Sequence, residues 1–224
     1  MRQTVQIAVA LVAAALTLHA ANRTKVNAAD GLRYVWIEPG KFMMGCADSA
    51  QECFDWELPP HSVEIKRGFW IGETEVTQQG YERVTGTNPS MYRGAQLPVD
   101  QIGWNDARRY CEQVGMKLPT EAQWEFAARG GTAESRYGPI EEIAWFDGNA
   151  EDRTHEVAKK QPNAYGLFDM IGNMWEWVED SYDAEKKILK GGSFYNLARD
   201  LRVSNRLWAT PETRHRNMGF RCAQ

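Results

Sequence analysis

Between Asn163 and Val178 the chain reads N-A-Y-G-L-F-D-M-I-G-N-M-W-E-W-V, and this stretch limits the fold more than any other. It does not read as an ordinary helix. Gly166 and Gly172 stand among bulky apolar residues, which suits a backbone that turns sharply or is closely approached by another segment. Tyr165, Phe168, Trp175 and Trp177 supply large rings, while Asp169, Asn173 and Glu176 supply oxygens that are costly to bury unpaired. Rings and oxygens interleaved in this way predict a buried core turn whose polar groups cap neighbouring backbone, or an oxygen-ligand site for a hard cation such as calcium. The alternating acidic ligands of an EF-hand loop are missing.

At 224 residues with a net charge of -4, the chain is long enough for one domain with a sizeable core and lacks the basic footprint of a nucleic-acid binder. Nine Trp, eight Tyr and eight Phe point to a core built from large rings. The start is different in character: Met1-Arg2-Gln3 is followed by an apolar run from Ile7 to Leu18 that is short for a membrane span and ends in small residues. Residues 1–28 therefore read as a secretory leader, cleaved after Ala20 or Ala28, ahead of a domain spanning 29–224. An uncleaved amino-terminal anchor is the competing reading. No other segment is long and apolar enough to span a membrane, so the expected location is periplasmic or secreted.

Export favours disulfides, and four cysteines allow three pairings. Cys46 and Cys53 are close enough for a local loop, and pairing Cys111 with Cys222 ties the end of the chain to its middle; this is the favoured arrangement. Zinc is the alternative, but there is no C-x-x-C, and His61, His155 and His215 are scattered.

Tyr34 to Phe42 and Ser62 to Lys66 alternate as strands around a Pro39-Gly40 turn, and Phe69-Trp70-Ile71 continues the pattern. The acidic loop from Asp48 to Glu57 reads as solvated and without chemistry. Thr77 caps a short helix from Gln78 to Val84. Asp106 to Val114 is the clearest helix, with Ala107, Tyr110, Cys111 and Val114 on one buried stripe. A third starts at Thr120, where Gln123 completes a capping box, and stops at Gly130-Gly131. Thr132 to Lys160 is mostly loop. Ile188 to Phe194, Arg199 to Asn205 and Gly219 to Cys222 read as late strands, giving an α+β chain with much irregular structure.

Nucleophile elbow, phosphate-cradling loop and H-E-x-x-H are all absent. Ser193 follows two glycines but has no histidine near it in sequence. Glu121, Glu125, Glu176, Glu179 and Asp180 serve equally well as capping or surface groups. Arg199, Arg202, Arg206, Arg214, Arg216 and Arg221 crowd the last thirty residues. With Tyr195, Asn196, Asn205 and Trp208 they predict either a concave recognition face or a solvated rim.

Taken in order, E-T-E-V-T at Glu73, L-P-V-D at Leu97, W-N-D-A-R-R-Y-C at Trp104, K-L-P-T-E-A-Q-W-E-F-A-A-R-G-G at Lys117, the Asn163 stretch, L-K-G-G-S-F at Leu189 and G-F-R-C at Gly219 resemble the formylglycine-generating enzyme, or sulfatase-modifying-factor, family. The resemblance implies a single compact C-type-lectin-like domain with little regular structure. It carries the family disulfide onto Cys111 and Cys222. It also carries a calcium site onto Asp169, Gly172, Met174 and Glu176, the glycine and methionine acting through backbone oxygen. A second family calcium site is not carried over, because the stretch around Asn149 is short, and the family's Y-P-W-G turn is reduced to Tyr137-Gly138.

The chemistry departs from the family. Its enzymes hold Cu(I) between two cysteines just after the G-G-S segment, because soft thiolates select that ion. Here Asn196 stands at the first position and no cysteine lies between Cys111 and Cys222, so copper is not expected. Ser193 and Trp175 match pocket-lining residues and, with Asn196, are the pocket candidates. The expected function is a calcium-stabilised, exported protein that binds or regulates a protein or peptide partner in the periplasm, such as a membrane kinase or secretion-system sensor. Tyr195, Asn205, Arg206 and Trp208 are the contact candidates. Alternatives are an oxidoreductase of non-standard chemistry, of the protein-cysteine or siderophore-maturation type, and a lectin-like receptor.

Overall fold

The computed structural model describes residues 23–46 and 53–224. Most of the expected leader, including the apolar run and Ala20, and residues 47–52 of the acidic loop lie outside the described residues.

Strands β1 (Thr24–Val26), β2 (Arg33–Ile37), β3 (Gly40–Met44), β4 (His61–Ile65) and β5 (Phe69–Gly72) open the described chain. They form two sheets rather than one: an antiparallel sheet of order β1-β2-β5, and a β3-β4 hairpin. Pro39 and Gly40 mark the break between them, and a side chain at Gly40 would meet the Phe126 ring at 2.8 Å. Strand β1 lies within residues 1–28. Its register matches Lys25 to Tyr34, and the Arg23 guanidinium sits 5.0 Å over the Trp36 ring. Asn27 Nδ2 donates to the Val114 carbonyl at 2.8 Å, so the segment from Arg23 onward belongs to the folded body.

Helix α1 (Gln78–Thr85) is capped by Thr77, whose hydroxyl accepts from the Gly80 N–H, and ends on left-handed Gly86. Helix α2 (Trp104–Gln113) starts two residues before the predicted Asp106 and buries Ala107, Tyr110 and Cys111. Helix α3 (Glu121–Arg129) has the predicted capping box of Thr120 and Gln123 and the Gly130 stop. A single turn, α4 (Ile140–Ile143), interrupts the long loop that follows.

The last part forms a four-stranded sheet from β6 (Trp175–Ser181), β7 (Lys187–Lys190), β8 (Arg206–Ala209) and β9 (Met218–Gly219), in the order β8-β7-β6-β9. The end of the aromatic and glycine stretch is thus a central strand, whose own Trp177 is fully buried, as is Trp124 of α3. Arg199 to Asn205 is not a strand. It holds a short 3-10 turn (Ala198–Asp200), and the Asn205 side chain donates to the Asp200 carbonyl at 2.7 Å, a local bond that competes with a sheet ladder.

Two large apolar clusters fill most of the core, one around Trp124, Phe69 and Leu167, the other around Trp177, Tyr110 and Phe220, with a small third of Ala150, Met174 and Phe194. The final residues close both: Gly72 N–H donates to the Cys222 carbonyl, and Ala223 exchanges two bonds of 2.7 Å with Lys117. Disulfides join Cys46 to Cys53 and Cys111 to Cys222, as the spacing favoured.

Candidate functional site

The Asn163 stretch acts as a stitch. Asn163 Nδ2 donates to the Ala127 and Ala128 carbonyls at the end of α3, while its Oδ1 accepts from the Tyr165 and Leu167 N–H groups. Asp169, Gly172 and Asn173 all take left-handed backbone angles. At Gly172 a Cβ would lie 2.4 Å from the Trp145 carbonyl oxygen, so the position needs glycine for space as well as for φ. Asn173 then binds three loops: its N–H donates to the Trp145 carbonyl, its side-chain oxygen accepts from Thr154 Oγ1 and His155 N–H, and its carbonyl accepts from Phe194 N–H. His155 in turn stacks on Trp145 with centroids 3.9 Å apart.

Below this turn lies a charged centre closed to solvent. Arg221 donates through Nε and Nη2 to the two Glu176 oxygens, each at 2.7 Å, and Trp124 Nε1 adds a bond of 2.8 Å to the same carboxylate. The other Arg221 protons reach the Gly72 and Phe168 carbonyls. Glu75 and Asp169 stand beside this pair. Both Glu75 oxygens and Asp169 Oδ1 are buried without a partner. Burial and the neighbouring Asp169 charge push the Glu75 carboxyl well above its ordinary range, against the pull of Arg221. Burial likewise raises Asp169 to about 6, opposed by the Ala158 N–H bond and Arg221.

Of the calcium ligands expected here, Asp169 therefore presents a free, buried oxygen, and Gly172 and Met174 flank it on the same turn. Glu176 does not fit the set: a guanidinium and an indole already hold it, and a second cation on the same carboxylate would meet the Arg221 charge. Among the described residues no group of three or more His, Cys, Asp or Glu side chains could hold a metal ion. Asn149 uses its amide on Glu141, the Ala144 carbonyl and the Phe146 N–H.

The Ser193 segment leaves the sheet through Gly191 and Gly192, both left-handed. Asn196 folds back, and its Oδ1 accepts from the Ser193 hydroxyl at 2.8 Å and the Ser193 N–H at 3.0 Å. Asn217 Nδ2 donates to Ser193 Oγ at 3.1 Å, and Asn217 Oδ1 is 2.6 Å from His215 Nδ1. A histidine thus approaches Ser193 in space, but through an amide that passes no proton from the hydroxyl to the ring. Ser193 and Trp175 are buried, and the four cysteines are all in disulfides. The partners of Ser193 Oγ are the Asn196 and Asn217 amides and the Tyr195 N–H.

The partner candidates separate. Asn205 is buried, bonded to Trp56 Nε1 at 3.2 Å; Arg206 pairs with Glu121 at 2.9 Å; Trp208 stacks on Tyr182 at 4.0 Å. Tyr195 is 59% exposed and keeps other company, with the Arg216 guanidinium 5.4 Å over its ring. The arginine crowd does not form a bare cationic face. Arg199 meets Asp200, Arg202 meets Glu57, Arg214 meets Asp106, Arg216 meets Asp152 and Arg221 meets Glu176. Glu57 belongs to the loop expected to be solvated, yet it is buried. Burial would raise its carboxyl, but Arg202, the Ser204 hydroxyl and the Phe54 N–H hold it below its ordinary range. The signal for Arg221 was present in the sequence: a single charge within G-F-R-C, enclosed by apolar residues, must find a buried counter-charge.

Residues 20–224 match the family model described as the sulfatase-modifying factor enzyme 1-like domain. The chain belongs to the sulfatase-modifying-factor family. Members with and without the enzymatic activity are both near it. It is 34% identical over 191 residues to the inactive C-alpha-formylglycine-generating enzyme 2 of Bos taurus, covering 75% of this chain and 58% of that protein. It is 36% identical over 192 residues to the formylglycine-generating enzyme of Streptomyces coelicolor, covering 69% of this chain and 60% of the relative. The chain thus spans little more than half the length of these relatives. PvdO from Pseudomonas aeruginosa shares the fold, with a TM-score of 0.81 at 24% identity, covering 90% of this chain and 97% of PvdO. Two disulfides suit a family domain that works in an oxidising, exported setting. Among the described residues no helix is long and apolar enough to cross a membrane.

Proposed function

We propose that this family domain is a non-catalytic, exported binding protein that engages a protein or peptide partner through the loop after Gly192. The observation that carries the reading is the closed Ser193 segment. Where the family's enzymes place a copper-binding thiolate, Asn196 turns its oxygen onto Ser193, and the side chains offered outward are Tyr195 and Leu197, 59% and 48% exposed. An exposed ring beside Arg216 is a contact anchor rather than a redox group. In this reading calcium is a structural ion at the Asn163 turn, drawing on Asp169 with the Gly172 and Met174 carbonyls. Asp169→Asn then removes any fall in melting temperature caused by chelation.

The test places a photocrosslinking residue at Tyr195 in cells that export the protein, with the exposed Met43 as control. A discrete adduct from position 195 and none from 43 supports the reading. Oxygen consumption by the purified protein when loaded with Cu(I) and given a cysteine peptide would overturn it.

A further inference from the structure

The β3-β4 hairpin and the end of α3 border a groove of about 460 Å³, lined entirely by described residues. Phe42 of β3, Phe126 of α3, Tyr165 of the Asn163 stretch and Trp36 of β2 are its aromatic members. Phe126 lies 5.3 Å from Phe42 and 6.2 Å from Tyr165 between centroids, tilted by 48° and 56°, so the rings stand at angles to one another rather than in a stack. Gly131 and Ala133, just past the α3 stop, add little bulk to the lining. The Tyr165 hydroxyl, 3.7 Å from where a Gly131 Cβ would lie, has no hydrogen-bond partner among the described residues. The groove shares no residue with the loop after Gly192.

The two cations of the lining are both answered. Arg129 lies 6.0 Å from the Phe42 ring, but it is buried and held by Glu125 at 2.7 Å and by the Gly45, Ala133 and Glu134 carbonyls. Lys41 pairs with Glu64 at 3.6 Å. The lining carboxylate, Glu38, is exposed and has no ion pair among the described residues, and the same holds for Glu134, the exposed neighbour of Ala133. Trp36 already carries the Arg23 guanidinium over its ring, which leaves Phe42, Phe126 and Tyr165 as the rings open to a guest. The groove thus offers ring surface and unanswered negative charge to the same molecule.

We propose that this groove binds a small organic cation whose charge is carried by a methylated ammonium group. Methyl groups bury against Phe42, Phe126 and Tyr165 as an apolar guest would, and the positive charge is drawn to the negative faces of the same rings. Glu38 and Glu134 complement that charge at the rim without a direct bond. A bare ammonium is held more firmly by water and has no methyl surface to bury, so it is the poorer guest. A neutral molecule of the same shape gains the burial and forfeits the attraction. An anionic group on the guest meets Glu38 and is disfavoured.

The experiment titrates the intact protein, by calorimetry and amide NMR, with choline, its neutral isostere 3,3-dimethyl-1-butanol, and phosphocholine. Choline should bind saturably and about tenfold more tightly than the neutral isostere, with phosphocholine several-fold weaker than choline. The shifted amides should include Gly131, Thr132 and Ala133, which line the groove. Tyr165→Leu should weaken choline about tenfold and the isostere little, because it keeps an apolar side chain and removes the ring. Glu38→Gln should cost several-fold for choline alone. Ala133→Trp, at an exposed position, should fill the groove and abolish binding of all three compounds. No saturable choline binding, equal affinity for the isostere, tighter binding of phosphocholine, or choline affinity unchanged in Ala133→Trp would each overturn the proposal.

Discussion

Arg221 and Glu176 form a two-pronged pair, with Nε and Nη2 each 2.7 Å from a carboxylate oxygen and both side chains closed to solvent. Such a pair is costly to break from one side, because the remaining charge stays buried. Arg221→Met should cost about 3–5 kcal/mol by urea unfolding. Adding Glu176→Gln should recover a large part of the loss, since it removes the stranded charge. A single variant within 1 kcal/mol of the parent, roughly the cost of an ordinary surface change, would contradict this.

Asp100 gives a pH dependence with a definite sign. Burial is the leading cause that raises its carboxyl from 3.8 to about 6, outweighing bonds from the Met91 and Tyr92 N–H groups, and Oδ2 has no partner. Below the unfolded value both states carry the proton and Asp100 contributes nothing. As pH rises from 3.8 to about 6 the unfolded chain releases its proton first, so stability falls through this window and is then level. Asp100→Asn lacks this loss. The difference in urea midpoint between parent and variant should change between pH 4 and pH 7, roughly the ends of that window, in the variant's favour at the higher pH.

The disulfides should differ in what they contribute to stability. Cys111 and Cys222 are separated by 111 residues and Cys46 and Cys53 by 7. On chain entropy, replacing the first pair by alanine should cost about 5 kcal/mol and the second about 2 kcal/mol, both read by chemical unfolding.

The amino-terminal segment is the fourth test. A chain starting at Ala29 lacks β1, the Arg23 contacts with Trp36 and Trp70 and the Asn27 bond to Val114. It should lose on the order of 2 kcal/mol relative to a chain starting at Asn22. The intact mass of the exported protein should correspondingly place its first residue before Arg23; a mature start at Ala29 would refute this.

How much of this was legible depended on where the information lay. Thr120 and Gln123 fix the start of α3 within one turn, so the capping box could be read directly, as could the Ala107, Tyr110 and Cys111 stripe of α2. Glycine spacing revealed that the Asn163 stretch must turn, but not that it ends in a central strand, because the sheet that puts Trp175 and Trp177 on one face forms only with the distant β7 and β9. Partners of charges were the least legible. Glu57 and Arg202 are 145 residues apart, and nothing local distinguishes a buried Glu57 from the exposed Asp55 two residues before it. The absence of the thiolate pair was plain in the sequence. That Asn196 turns inward onto Ser193 required the structure.

The closing residues have a consequence for how the chain is made. Trp70, Gly72 and Lys117, in the first half, bond to Gln224, Cys222 and Ala223. The core therefore seals only once residues 222–224 have joined segments from the first half, contacts of long sequence separation that are slow to form. The Cys111–Cys222 disulfide then locks that closure in place.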